Sequence, residues 1–252
     1  MQDPVLLAAV AATFFLAGTV KGVIGLGLPT ITLGLMTLLL DLPSAMALLI
    51  VPSLVTNLWQ ASVGGHIRGI FIKTWPFMVT ATTTIWIGAQ ALSHVDLSYL
   101  SALLGLLLIT YAAIGLTGFH LSMSARTAFR SGPLYGISNG ILTGMTGSFM
   151  VPGVLYLQAT GMHRDMLVQA MGILFTLSTA ALALALGYGA PVDPDLGLVS
   201  ILGLIPAIFG MVLGRRIRGH LSEARFRLIF FAGILTLGLY IVASADLSWS
   251  AF

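Results

Sequence analysis

The chain has 252 residues, 58% of them hydrophobic and only 8% charged, with a formal net charge of +3. Its 11 Lys and Arg and 8 Asp and Glu could not cover a water-soluble particle of this size, and the mean hydropathy of +1.02 is that of an integral membrane protein. The absence of Cys excludes a disulfide framework and a thiolate metal site, and the small positive charge lies in loop arginines rather than on a nucleic-acid-binding face.

The N-terminal run MQDPVLLAAVAATFFLAG lacks the basic start and small-residue cleavage site of a secretory signal, so it is expected to belong to the mature fold. The segment from Val5 to Leu40 is too long for one ordinary crossing and is broken at Lys21-Gly22-Val23-Ile24-Gly25-Leu26-Gly27-Leu28-Pro29. Apolar stretches at 43–62, 71–93 and 97–118 each approach the roughly 20 residues needed to span a bilayer. The segment from Pro133 to Thr160 is broken like the first, at Gly144-Met145-Thr146-Gly147-Ser148-Phe149-Met150-Val151-Pro152. Spans at 166–186, 197–214 and 228–245 complete the chain.

Each broken stretch is expected to be a helical hairpin that enters and leaves on one face. In the second, the arms Pro133 to Thr143 and Val151 to Thr160 reach only about 15 Å, half the hydrocarbon thickness. In the first, Val5 to Val20 and Pro29 to Leu40 reach roughly 24 and 18 Å. With both stretches as hairpins, Arg68, Lys73, Arg126, Arg130, Arg164, Arg215, Arg216, Arg218, Arg225 and Arg227 fall on one face. Asp3, Asp41, Asp96, Asp193, Asp195 and Asp246 fall on the other with no Lys or Arg, which puts both termini outside.

The broken stretches match at an offset of 122: Gly18 with Gly140, Gly22 with Gly144, Gly25 with Gly147, and farther on Asn57 with Thr179 and Gly88 with Gly210. The chain therefore reads as two membrane repeats, 1–122 and 123–252, within one membrane domain. Each is a broken hairpin plus three crossings. That odd number inverts the second copy relative to the first, as in many secondary transporters. Unpaired backbone groups at a break are tolerated only where they are buried by protein or line a cavity, so the two tips are expected to form a site. Helices starting near Pro29 and Pro152 would turn their N–H groups toward an anion there. The competing reading is that the glycines serve close helix packing alone.

Lys21 is the one ionisable side chain well inside an apolar stretch; it is read as an anion partner, or alternatively as a side chain snorkelling to the headgroups. All eight carboxylates and all five histidines lie in loops or at span ends, which argues against an intramembrane proton relay and against hydrolysis. Among the uncharged polar residues Asn57, Gln60, Asn139, Thr146, Ser148, Gln158, Gln169, Ser178 and Thr179, those assigned to substrate binding are Asn57, Thr146, Ser148, Ser178 and Thr179. They join Lys21 and the glycines Gly22, Gly25, Gly27, Gly144 and Gly147. Gln90 and Ser200 read as packing residues. No metal site, cofactor or catalytic residue is expected.

At these glycines the sequence resembles the sulfite exporter TauE/SafE family, the toluene sulfonate uptake permeases (TSUP), over nearly the whole chain. The family motif is G-x-x-G-x-G-G-G followed by Pro. Here the first copy reads Gly22-Val23-Ile24-Gly25-Leu26-Gly27-Leu28-Pro29; in the second, Ser148-Phe149 stand where glycines belong. The resemblance implies an all-α membrane transporter for sulfite, sulfonates or related organic anions in a bacterial inner membrane. The expected function is secondary transport by alternating access, with an anion channel or a non-transporting membrane scaffold as the alternatives. H⁺ or Na⁺ is the candidate coupling ion, and a homodimer the candidate assembly.

Overall fold

The computed structural model describes residues 4–119, 121–189, 194–218 and 222–249, and every element among them is helical. In chain order they are α1 (Pro4–Ile24), α2 (Leu28–Met36), α3 (Leu42–Ser62), α4 (Ile67–Thr83), α5 (Ile85–Ala89), α6 (Ala91–His94), α7 (Leu97–Thr117) and α8 (Ala125–Thr146). A π turn (Met150–Val154) leads into α9 (Leu155–Ala159), followed by α10 (Arg164–Gly189), α11 (Pro194–Ile217) and α12 (Glu223–Trp249). Among the described residues, six helices are long and apolar enough to cross a membrane: α1, α3, α7, α10, α11 and α12. The expectations for Asp3, His120, Asp193 and His220 lie outside the described residues, as do those for the side chains of Glu223 and Asp246.

Three boundaries differ from the sequence reading. The helix expected to stop at Val20 runs on to Ile24, so Lys21 and Gly22 lie within α1 and the break is confined to Gly25-Leu26-Gly27. The arm expected to begin at Pro133 begins at Ala125, because Ser124 caps it by accepting the Thr127 N–H at 3.2 Å. Pro133 sits inside the resulting 22-residue helix, which is about 33 Å long rather than half a bilayer. The span expected over 71–93 is segmented at Thr84 and Gln90 into α4, α5 and α6. Thr80, Thr82, Thr83 and Thr84 all donate to carbonyls one turn back, and a run of such bonds bends a helix.

The chain divides into two compact units, each drawing on both halves of the sequence. The first comprises Met1–Pro52, Val95–Phe119 and Val192–Phe252. In it α1 packs on α11, with Gly18 against the Ala207 carbonyl, Gly22 against that of Met211, and Gly210 and Gly214 against the backbone of Phe15 and Thr19. Glycines four apart on both helices remove the side chains that would hold the backbones apart, the small-residue packing of membrane helices. Antiparallel α7 and α12 form the other pair, Gly105 meeting Gly238 and Val242. Pro52 has no N–H, so the Leu48 carbonyl loses its helical donor; the Ser200 hydroxyl replaces it at 2.8 Å and accepts the Val51 N–H at 3.2 Å.

The second unit comprises Ser53–His94 and His120–Pro191. Here α8 lies along α4 and α5 in the same direction, Gly136 against Phe77, Gly140 against Ala81, and Gly144 against Ile85 and Ala89. The second part of α3 runs antiparallel to α10. Gln60 donates to the Val168 carbonyl and Gln169 to that of Ala61, both at 2.8 Å, while Gln169 Oε1 accepts the His66 N–H at 2.8 Å. One buried glutamine, Gln169, and one half-buried, Gln60, thus satisfy backbone groups that lipid could not.

Candidate functional site

Both broken helices end in the same local geometry. The Gly25 N–H donates to the Lys21 carbonyl at 2.8 Å, and the Gly147 N–H to the Thr143 carbonyl at 2.7 Å. Gly25 has φ 85° and Gly147 φ 72°, the left-handed region in which a side chain is strained. The breaks then diverge. After the first, Gly27 (φ 106°) caps α2, whose Ile31 N–H donates to the Gly27 carbonyl at 2.9 Å. After the second, Val151 is extended at φ −117° and ψ 126°, and regular helix resumes only beyond Pro152.

Three hydrogen bonds fold the second arm back along α8: Gly153 N–H to Asn139 Oδ1 at 2.9 Å, the Tyr156 hydroxyl to the Ala128 carbonyl at 2.9 Å, and Met123 N–H to the Ala159 carbonyl at 2.9 Å. Residues 153, 156 and 159 therefore pair with progressively earlier positions, which is a returning hairpin. At its tip the Thr143 hydroxyl donates to the Ser148 carbonyl at 3.0 Å. The Thr146 hydroxyl donates to the Leu142 carbonyl at 2.7 Å and accepts the Ser148 N–H at 3.2 Å. Phe149 is buried against Phe175 of α10, ring centroids 5.5 Å apart.

The residues assigned to binding from sequence occupy distinct surroundings. Lys21 is 4% exposed and is the only buried charged residue among those described, so its side chain is enclosed by protein rather than spread at the headgroups. It stands in the last turn of α1, where its charge complements the carbonyl end of the helix. Gly22 and Gly144 lie inside helices and face the backbones of α11 and α5, so close packing accounts for their missing side chains. In the second unit, Asn57 Nδ2 donates to Ser53 Oγ at 2.8 Å, and Ser53 Oγ lies 3.3 Å from Thr179 Oγ1. The structure thus brings Asn57 and Thr179 together through Ser53, which the sequence reading passed over. Ser178, next in chain to Thr179, is fully buried with an unpartnered hydroxyl.

Other residues went unassigned. Thr30 and Thr32 of α2 are buried, and their hydroxyls find no partner, whereas Thr37, Thr74, Thr80 and Thr176 bond back to their own helices. Asn139 is fully buried and its Nδ2 is likewise unpartnered. Sequence carries no signal for the two threonines, because a helical threonine is by default satisfied one turn back. Among the described residues no three His, Asp or Glu side chains gather as a metal site.

Six membrane-length apolar helices, with further helices interrupted at glycine and proline where buried polar groups collect, define a multi-pass membrane protein of the transporter type. The model of the sulfite exporter TauE/SafE family matches residues 10–241, nearly the whole chain, and the protein belongs to that family. The family is one of membrane transporters, not enzymes. No match was found among curated proteins or among solved structures.

Proposed function

We propose that the protein is a secondary carrier for a small anion of the sulfite, sulfonate or related organic-anion class, working by alternating access in a bacterial inner membrane. The observation that carries this reading is Lys21, a cation enclosed by protein in the last turn of a broken helix in a chain of a transporter family. Lys21 attracts the anion; backbone around Gly25 to Gly27 and Gly147 to Ser148 lines its path; Asn57, Ser178 and Thr179 orient it. Repeats 1–122 and 123–252 insert in opposite senses with both termini periplasmic. The common cap at Gly25 and Gly147, at the spacing that relates Lys21 to Thr143, supports the duplication on which this rests. H⁺ or Na⁺ is the coupling ion and a homodimer the assembly within this reading.

Uptake of labelled sulfite and methanesulfonate into proteoliposomes tests it. The wild type is expected to show saturable uptake and counterflow, which a channel or a scaffold would not. Lys21→Ala is expected to abolish or strongly reduce uptake while the protein remains folded. Unchanged transport would refute the role given to Lys21.

A further inference from the structure

The amide of Asn139 can be oriented without ambiguity. Oxygen and nitrogen of an asparagine are interchangeable in shape, and only the hydrogen-bond partners decide between them. Here the Gly153 N–H points at one terminal atom at 2.9 Å, so that atom must be the acceptor Oδ1. The other is therefore Nδ2, two N–H donors on a fully buried residue, and no protein group accepts from it. One turn farther along α8, Thr143 holds the Ser148 carbonyl, which fixes Ser148 on the same seam between α8 and the returning arm. The Ser148 main chain is bonded at both its N–H and its carbonyl, yet its hydroxyl, on a residue 1% exposed, is also unpartnered.

Buried donors without acceptors in the protein are costly, and the missing acceptor is supplied by a bound molecule, an ordered water or a ligand that displaces it. The chemistry of that ligand follows from the amide. A cation would be repelled by N–H groups and would call for the opposite orientation, which the Gly153 N–H forbids. An apolar solute would leave both donors unsatisfied. An oxyanion suits either donor, since its oxygens accept from neutral N–H and O–H groups with no counter-charge required beside them.

We infer that Asn139 Nδ2 and Ser148 Oγ bind the oxygen atoms of a substrate oxyanion, a sulfite or sulfonate headgroup, at the tip of the second broken helix. This rests on the anion-carrier reading and adds to it a neutral contact, separate in kind from the cationic one at Lys21. Asn139 sets the sign of the ligand; Ser148 adds affinity.

Titration calorimetry of the purified full-length chain with sodium methanesulfonate and sodium sulfite, against sodium chloride at equal ionic strength, tests the inference, with unfolding temperature recorded for each variant. Ser148→Ala removes a hydroxyl that bonds nothing in the protein, so it is expected to leave the unfolding temperature unchanged or higher while weakening anion binding about tenfold or more. Asn139→Asp retains the acceptor for Gly153 and replaces the donor by a carboxylate oxygen, so binding is expected to fall by about a hundredfold or more. Wild-type affinity in both variants would overturn the inference and leave the carrier reading intact. No anion binding by the wild type would overturn the carrier reading, and the inference with it. If Asn139→Asp fails to fold, Ser148→Ala decides alone: reduced affinity in a stable protein supports the contact, and unchanged affinity overturns it.

Discussion

Replacing Gly144 by alanine would drive a methyl group into the Ile85 carbonyl and the Ala89 amide nitrogen. Both obstacles are backbone, so no side chain can rotate away and α8 must separate from α5 instead. Overpacking of this kind costs about 1–3 kcal/mol, against which alanine returns at most about 1 kcal/mol of helix propensity. Because both obstacles are backbone, the upper end of that cost applies, and the net expectation is a loss of about 2 kcal/mol. Gly22→Ala, which meets the Met211 carbonyl and Gly214, should behave alike. Gly233 and Gly187 are the controls: nothing lies within 4 Å of a Cβ added at either, so alanine there should be neutral or stabilising. Equilibrium unfolding of the full chain in detergent, with proteoliposome uptake measured on the same preparations, compares all four. Wild-type stability in Gly144→Ala would refute the close helix crossing. Wild-type stability combined with lost transport would place Gly144 at the substrate and not in the packing.

Gly147→Ala and Gly25→Ala force a side chain into the left-handed region, and each should cost about 1–2 kcal/mol in the same unfolding assay. Ser200→Ala leaves the Leu48 carbonyl without a donor opposite Pro52 and should destabilise by about 1–3 kcal/mol, with the change visible as faster amide exchange at Val51. Membrane-impermeant labelling of single cysteines introduced at Asp41 and Arg164 should mark opposite compartments; labelling of both from one side would refute the inverted arrangement.

The helix breaks were legible because glycine and proline alter the backbone itself, and no packing can make Gly25-Leu26-Gly27 or Gly147 to Pro152 read as ordinary helix. Their edges were not legible. Lys21 and Gly22 stay helical because α1 is pressed against α11, a partner far away in sequence. The start at Ala125 depends on Ser124, whose hydroxyl cap is a local signal that Pro133 obscured. Of the candidate site, Lys21 stood out because a charge in an apolar run is rare, whereas Ser53, Thr30, Thr32 and Asn139 are common residues whose unusual partners, or lack of them, arise only from tertiary structure. The link between Asn57 and Thr179 emerged from symmetry in the sequence, but the serine that joins them did not.

The interleaving of the two units has a consequence for biogenesis. α1 leaves the ribosome long before α11, the helix that covers its glycine face. The translocon therefore releases a helix that must wait in lipid, its close-packing surface bare, while the intervening helices are still being made. Damage to the glycines of α11 should consequently surface as degradation of a nascent protein whose α1 never docks, long before any solute reaches it.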